Sequence, residues 1–183
     1  MGCTSSAASD RPAKCDPLLD PPPPQQVDAR LPLTARQKFS LEKSWKAVQR
    51  SLESVGMDML IRLYKQHPEY QDLFIEFKDM SEEKLRNSLN FETQCGIIMN
   101  VFDEAITGLD DVDHVINLLT KRGRKHAKYG VKPEFISDIK EPFLHSVEDL
   151  LEHRYTEKIA EIYALIIDFI IDYFVQGLKE SAG

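Results

Sequence analysis

The residue with the clearest capacity for chemistry is His126, in the stretch GRKHAKYGVKPEF at residues 123–135. Neutral imidazole is the commonest metal ligand in proteins. A single histidine on a polar helix is more often a solvated or hydrogen-bonded residue. Gly130 and Pro133 follow His126 and are typical of a helix end, so the imidazole is expected in the last turns of a helix. Taken alone, the stretch leaves both interpretations open.

The rest of the sequence offers little dedicated catalytic machinery. It has no glycine-rich phosphate loop, no Gly-x-Ser-x-Gly elbow and no evident acid–base pair, so we assign no catalytic residue and leave enzymatic activity open. Cys3, Cys15 and Cys95 form no C-x-x-C pair. Their odd number, without a secretory signal, argues against a disulfide framework and favours a reducing, cytosolic compartment. The net charge of −7 makes nucleic acid a poor partner.

Residues 1–32 are rich in proline and are predicted to be a disordered tail. The tail begins MGCTSS, which fits N-myristoylation of Gly2 after removal of Met1, with Ser6 at the usual hydroxyl position. The alternative is that the match to this pattern arose by chance, since serine-rich N-termini are common. One myristoyl chain binds a bilayer only marginally, whereas a second acyl chain, at Cys3, makes attachment stable. We therefore favour dual acylation on the cytoplasmic face of the plasma membrane, with Cys15 a further acylation site or an exposed thiol.

Residues 33–180 carry apolar residues at helical spacing, which predicts one all-α domain. Thr34 and Gln37 form a capping-box signature for the first helix. A short helical turn is expected after Pro68. The other helices are predicted over residues 54–66, 81–109, 112–128, 133–152 and 156–178. The most apolar stretch, residues 162–175, is interrupted by Asp168 and Asp172, which indicates a core helix and not a membrane span.

Three stretches, HPEYQDLFIEF, FETQCGIIMNVFDEAI and LLTKRGRKHAKYGVKPEF, resemble the haem-pocket segments of the globin family, in order and at similar separations. Trp45 in the first helix and Tyr163 in the last also match aromatic residues of the family. The resemblance covers residues 33–178. It implies the globin fold, with about seven to eight helices around a haem pocket, in a domain over residues 33–180. With the acylation signal, the chain resembles an N-terminally acylated invertebrate globin of the nematode type.

The resemblance also implies the residues of the pocket. His126 matches the proximal ligand of the iron in haem b (iron protoporphyrin IX), with its other ring nitrogen held by a nearby acceptor. Phe74 matches the haem-clamping phenylalanine and Phe77 its companion, although both also suit a plain core. The positions expected to contact the cofactor, besides His126, are Phe74, Phe77, Gln94, Ile98, Val131 and Phe135.

The distal side departs from the family's common histidine. The alignment puts Gln94 over the iron, on one helical face with Ile98, although a glutamine there is ordinarily exposed at the rim. Leu60 is the matching apolar residue of the second helix. Residues 81–109 contain no histidine or tyrosine, and Cys95 is expected to point about 100° away from Gln94. We therefore expect ferrous iron with an open sixth position, and an amide hydrogen bond of about 1 kcal/mol to a diatomic ligand.

A second departure is Arg122, one turn before His126, where the family usually has leucine. Arg122 either reaches toward a haem propionate or marks a local shift of the alignment. It belongs to a basic cluster that admits three interpretations: a solvated helix face, which is the default, partners for the propionates, or a surface facing anionic lipid. The cluster comprises Lys121, Arg122, Arg124, Lys125 and Lys128.

Two classes of function remain. The first is a membrane-tethered haem globin that binds dioxygen or another diatomic ligand, in sensing, redox signalling or electron transfer with an unknown partner. Tethering disfavours bulk oxygen transport. The rival is a lipidated helical adaptor that has kept the globin fold and lost haem. His126 and Phe74 favour the first class, whereas Arg122 leaves room for the second.

Overall fold

The computed structural model describes residues 27–181, and within that range all regular structure is helical. The all-α prediction is thereby confirmed. Two short 3₁₀ helices, Pro68–Leu73 and Glu152–Arg154, separate some of the α-helices. The eight α-helices are α1 (Ala35–Gln49), α2 (Leu52–Gln66), α3 (Glu82–Arg86), α4 (Leu89–Thr107), α5 (Val112–Ala127), α6 (Pro133–Ser137), α7 (Lys140–Leu151) and α8 (Glu157–Glu180).

Helix α1 begins where the sequence predicts. The Thr34 hydroxyl oxygen accepts a hydrogen bond from the Gln37 backbone N–H at 3.2 Å, and the Gln37 side chain accepts one from the Thr34 N–H at 2.9 Å. This capping box satisfies two donors that the first turn would leave unpaired. Further along α1, the buried Trp45 donates its indole N–H to Asp103 at 2.8 Å, which ties α1 to α4.

The predicted helix over residues 81–109 is wrong in one respect, because the structure divides it into α3 and α4. The break is at Asn87 and Ser88. Asn87 donates its side-chain amide to the Glu83 carbonyl at 2.8 Å, which closes α3. The Ser88 hydroxyl accepts the Phe91 backbone N–H at 3.2 Å, which starts α4. Helical periodicity continues across such a break, so it is visible only in these capping bonds.

The predicted helix over residues 133–152 is also divided, into α6 and α7, and the 3₁₀ turn Glu152–Arg154 begins at its last residue. Pro142 explains the first break. Proline has no backbone N–H to donate to residue 138 and is tolerated only near the start of a helix, so the chain restarts a helix at Lys140. Helix α6 is therefore a separate short helix, and its Phe135 and Ile136 are buried.

Helices α5 and α8 cross at two glycines. A Cβ added to Gly123 would lie 2.0 Å from the Phe174 carbonyl oxygen, and one added to Gly177 would lie 2.1 Å from the Thr120 carbonyl oxygen. No side chain larger than hydrogen fits between backbones at these separations. The crossing therefore fixes the position of α5, the helix that carries His126.

Helix α8 contains the apolar stretch that the sequence assigned to the core. Its Ile166, Ile167 and Ile170 are buried, while Asp168 is exposed and forms an ion pair with Lys140 at 2.7 Å. Among the described residues, no helix combines the length and the apolar character required to cross a bilayer.

The described chain starts shortly before the predicted domain boundary. Leu31 and Leu33 are both buried in the core. Arg30 binds Asp28 at 2.7 Å and also reaches Asp113, in the first turn of α5, at 2.7 Å. The segment that precedes α1 is therefore attached beside the N-terminal end of α5.

Candidate functional site

A largely apolar cavity of about 560 Å³ opens between α2, α4, α5, α6 and α8. Apolar and aromatic side chains form most of its wall, the polar residues that line it are Gln94 and His126, and the largely exposed Tyr129 stands at its rim. A cavity of this size falls in the range of about 300–1,000 Å³ that is typical of sites for small organic molecules and cofactors. The cavity is therefore the candidate binding site.

His126 is held in one tautomer by its own helix. Its Nδ1 lies 2.8 Å from the backbone carbonyl oxygen of Arg122. A carbonyl oxygen only accepts hydrogen bonds, so Nδ1 carries the proton and Nε2 has the free electron pair. Phe174 of α8 packs edge-on against the imidazole, with ring centroids 5.0 Å apart. The arrangement leaves Nε2 as the ring nitrogen available to a metal in the cavity.

Helix α4 supplies another part of the wall. Gln94, Ile98 and Val101 all line the cavity, and Leu60 of α2 lies beside them. Within residues 27–181, the Gln94 amide makes no hydrogen bond to another protein group, so its N–H is available to a ligand. The predicted register of α4, with Gln94 and Ile98 on one face, agrees with this placement.

The cavity brings together six of the seven residues that the sequence proposed for cofactor contact: Phe74, Gln94, Ile98, His126, Val131 and Phe135. The seventh, Phe77, lies elsewhere. It is only 3% exposed, packs 6.2 Å from Phe74 and sits edge-on to Phe91 at 5.2 Å, measured between ring centroids. Phe77 therefore packs behind the Phe74 ring. This position favours a supporting role over direct contact with a cofactor.

Cys95 is placed against α2. A Cβ built on Gly56 would lie 3.1 Å from the Cys95 Cβ, so the cysteine faces α2. Burial raises the pKa of its thiol to about 12. Because a metal binds the thiolate, a buried thiol with so high a pKa is a poor ligand. Within residues 27–181, His126 is the one histidine in the cavity wall.

Arg122 contributes to the site through its backbone. Its carbonyl accepts the His126 hydrogen bond, and its guanidinium lies 3.8 Å from Glu104 of α4. The ion pair gives the side chain a protein partner between α4 and α5. Contact with a propionate stays a prediction.

Several wall residues were not predicted from the sequence. Helix α8 contributes Ile170, Ile171 and Phe174, and the rim includes Leu73, Ile97 and Tyr129. The available signal was the spacing of Ile170 and Phe174, one helical turn apart. It was insufficient, because an apolar pair at this spacing is equally typical of a helix buried in a plain core.

Comparison with known proteins agrees with the geometry. The family model described as Globin matches residues 57–174. The chain is 25% identical over 150 residues to a neuroglobin from Dissostichus mawsoni, covering 81% of this chain and 94% of that protein. It is 23% identical over 124 residues to a globin from Nerita albicilla, covering 68% and 79%.

Among solved structures, the fold is similar to that of a hexacoordinated haem protein from an anhydrobiotic tardigrade, crystallised at pH 4. The TM-score is 0.81 and the identity 35%, over 83% of this chain and 99% of the other. The chain belongs to the globin family, and this membership implies a haem cofactor. The cavity fits one, with apolar walls and one imidazole whose Nε2 is free. The finer resemblance to acylated nematode-type globins stays a prediction.

Proposed function

We propose that the chain is a haem b globin that binds dioxygen or another diatomic ligand on the side of the haem that faces Gln94. When bound, haem supplies the iron that takes such a ligand. The observation that carries the proposal is the 2.8 Å distance between His126 Nδ1 and the Arg122 carbonyl oxygen, which assigns the proton to Nδ1 and leaves Nε2 free beside an apolar cavity. His126 would hold the iron from one side, and Gln94 would face a ligand on the other.

The similar tardigrade protein is described as hexacoordinated, whereas we propose an open sixth position for this chain. A second strong axial donor would have to come from the wall that α4 and α2 form. The residues there are Leu60, Gln94, Ile97, Ile98, Val101 and Phe102. None of them carries an imidazole, a thiolate or a phenol. A neutral amide is a weak ligand for iron but a good hydrogen-bond donor.

The role of Gln94 can be tested by replacing it with leucine, which keeps the size and removes the amide. Bound dioxygen carries partial negative charge, so losing a hydrogen bond of about 1 kcal/mol should raise its dissociation rate roughly fivefold. Carbon monoxide carries less charge and should dissociate at nearly the wild-type rate. Stopped-flow replacement of one gas by the other measures both rates.

The matched control is Asn100→Leu, which removes an exposed amide from the same helix outside the cavity wall. It should leave both rates unchanged. Equal effects of Gln94→Leu and Asn100→Leu, or no effect of either, would contradict the assignment of Gln94.

We also propose that acyl chains on Gly2 and Cys3 hold this globin on the cytoplasmic face of the plasma membrane. Both residues lie outside the described range, and the support is the MGCTSS pattern with two adjacent acylation sites. A tethered globin suits sensing, redox signalling or electron transfer better than bulk oxygen transport, because tethering restricts diffusion.

The tether predicts that Gly2→Ala moves the protein from the membrane fraction to the soluble fraction of a cell lysate. The myristoyl chain is attached to an N-terminal glycine, so alanine at position 2 prevents myristoylation and the first of the two anchors is lost. Thr4→Ala is the matched control, since position 4 is a variable position of the pattern. Membrane retention of Gly2→Ala at the wild-type level would refute the tether.

A further inference from the structure

The surface of α5 that faces away from the core is strongly basic. Between His114 and Pro133 the chain has six basic residues and no acidic one, although the whole protein has a net charge of −7. Two of the six are paired: Arg122 lies 3.8 Å from Glu104, and Arg124 lies 2.7 Å from Glu180. The remaining four are exposed and form no ion pair within residues 27–181: Lys121, Lys125, Lys128 and Lys132.

Helix geometry aligns three of these lysines, and Lys132 follows them in the chain after the end of α5. At about 100° per residue, positions 121, 125 and 128 fall within an arc of about 60°. Gly123, which contacts the backbone of α8, points roughly the opposite way on the same helix. Tyr129 follows at the end of α5 and is 78% exposed. We call the group Lys121, Lys125, Lys128, Tyr129 and Lys132 the lysine surface.

We propose that the lysine surface docks on an anionic lipid bilayer. This inference rests in part on the proposed membrane attachment of the chain. Lysines near an anionic membrane surface each strengthen binding roughly fivefold. An exposed tyrosine among them suits the headgroup region, where an apolar ring with a polar tip is stable.

The path of the chain before α1 favours an anionic bilayer, and not an acidic protein, as the binding partner of the lysine surface. Arg30 binds Asp113, so the first described residues lie beside the N-terminal end of α5. Helix α5 is about 24 Å long. The 26 residues that precede Val27 could reach up to about 80 Å if extended. An acyl anchor at Gly2 therefore leaves the domain free to lay the lysine surface on the membrane that holds the anchor.

The test uses the full-length, haem-loaded protein made in bacteria without an N-myristoyltransferase, so that no acyl chain contributes. Sedimentation with vesicles of phosphatidylcholine, with and without about 30% phosphatidylserine, measures partitioning. We expect binding to the phosphatidylserine vesicles alone, weakened by salt. Lys125→Glu/Lys128→Glu should reduce it at least about 25-fold, from about fivefold per charge.

The matched control is Lys43→Glu/Lys46→Glu on α1. It reverses two exposed lysines at the same spacing and changes the net charge equally. It should change partitioning less than twofold, and an unchanged Soret band in both variants shows that the pocket is intact. Equal losses in the two variants, or no binding to phosphatidylserine vesicles, would overturn the proposal.

Two further outcomes distinguish docking on lipid from binding to an acidic protein and from the acyl tether. Binding of the lysine surface to polyglutamate while phosphatidylserine vesicles are ignored would assign it to an acidic protein and overturn docking on lipid. If the unacylated protein binds phosphatidylserine vesicles through Lys125 and Lys128 while Gly2→Ala leaves cellular membrane attachment intact, docking stands and the acyl tether fails.

Discussion

Replacing Gly123 with alanine is expected to lower the free energy of unfolding by about 3 kcal/mol, near the upper end for overpacking a core. The added Cβ would lie 2.0 Å from the Phe174 carbonyl oxygen and 2.9 Å from the Leu178 nitrogen. Neither backbone atom can rotate away as the end of a side chain could, so α5 and α8 must separate. Urea denaturation followed by far-ultraviolet circular dichroism measures the loss.

The comparison variant is Gly130→Ala, which tests backbone strain without a clash. Gly130 has φ of +73°, and a Cβ added there would meet no atom within 4 Å, so alanine should cost about 1 kcal/mol. Gly123→Ala should also weaken haem uptake, because α5 carries His126. A Gly123→Ala variant as stable as the wild-type protein would show that the backbones of α5 and α8 are not in contact at Gly123.

Replacing His126 with glycine is expected to weaken haem binding at least about 100-fold. Changing a residue that merely supports a metal ligand already costs about 10–100-fold, and here the ligand itself is lost. Titration of the apoprotein with haemin, followed at the Soret band, measures the affinity. Free imidazole should restore a Soret band close to that of the wild-type protein, because it can occupy the space that the side chain leaves.

His114→Gly is the control for this experiment. It removes a histidine from the same helix at an exposed position outside the cavity, and haem affinity should stay at the wild-type level. An unaltered Soret band in His126→Gly would mean that another group holds the iron. Loss of haem binding without rescue by imidazole would point to a collapsed pocket.

The sequence predicted the parts of the fold that depend on local patterns. Thr34 and Gln37 form the expected capping box, and the polar positions of α8, such as Asp168, are exposed. The helix breaks at Asn87–Ser88 and at Asp138–Ile139 were missed, since apolar periodicity continues across them. The second was foreseeable from Pro142, because proline belongs in the first turn of a helix.

The candidate site was predicted in part, and the limit has a physical origin. Phe74, Gln94 and His126 were proposed because the globin resemblance fixes their spacing, and all three line the cavity, while their contact with a cofactor stays a prediction. Phe77, which was expected to contact the cofactor, packs behind Phe74, whereas Phe174, for which the sequence suggested no role, packs against the His126 ring. An apolar residue that faces a cavity and one that faces a plain core have the same sequence pattern, so only packing distinguishes them.

The close approach of α5 to α8 depends on two distant glycines. Gly123 and Gly177 each have ordinary helical surroundings in the sequence, and glycine alone lowers the helix propensity there. Their role in packing is visible only in the folded protein, where each glycine lies against the backbone of the other helix. The position of His126 thus depends on a pair that single-helix patterns do not reveal.

We expect the protein to supply one axial nitrogen to the iron, from His126, and to leave the opposite side of the haem open. The resonance Raman spectrum of the ferrous, ligand-free wild-type protein tests it most directly. We predict five-coordinate, high-spin marker bands with one iron–imidazole stretching band that disappears in His126→Gly. Six-coordinate, low-spin bands from two axial nitrogen ligands, or a folded protein that takes up no haem, would contradict the claim.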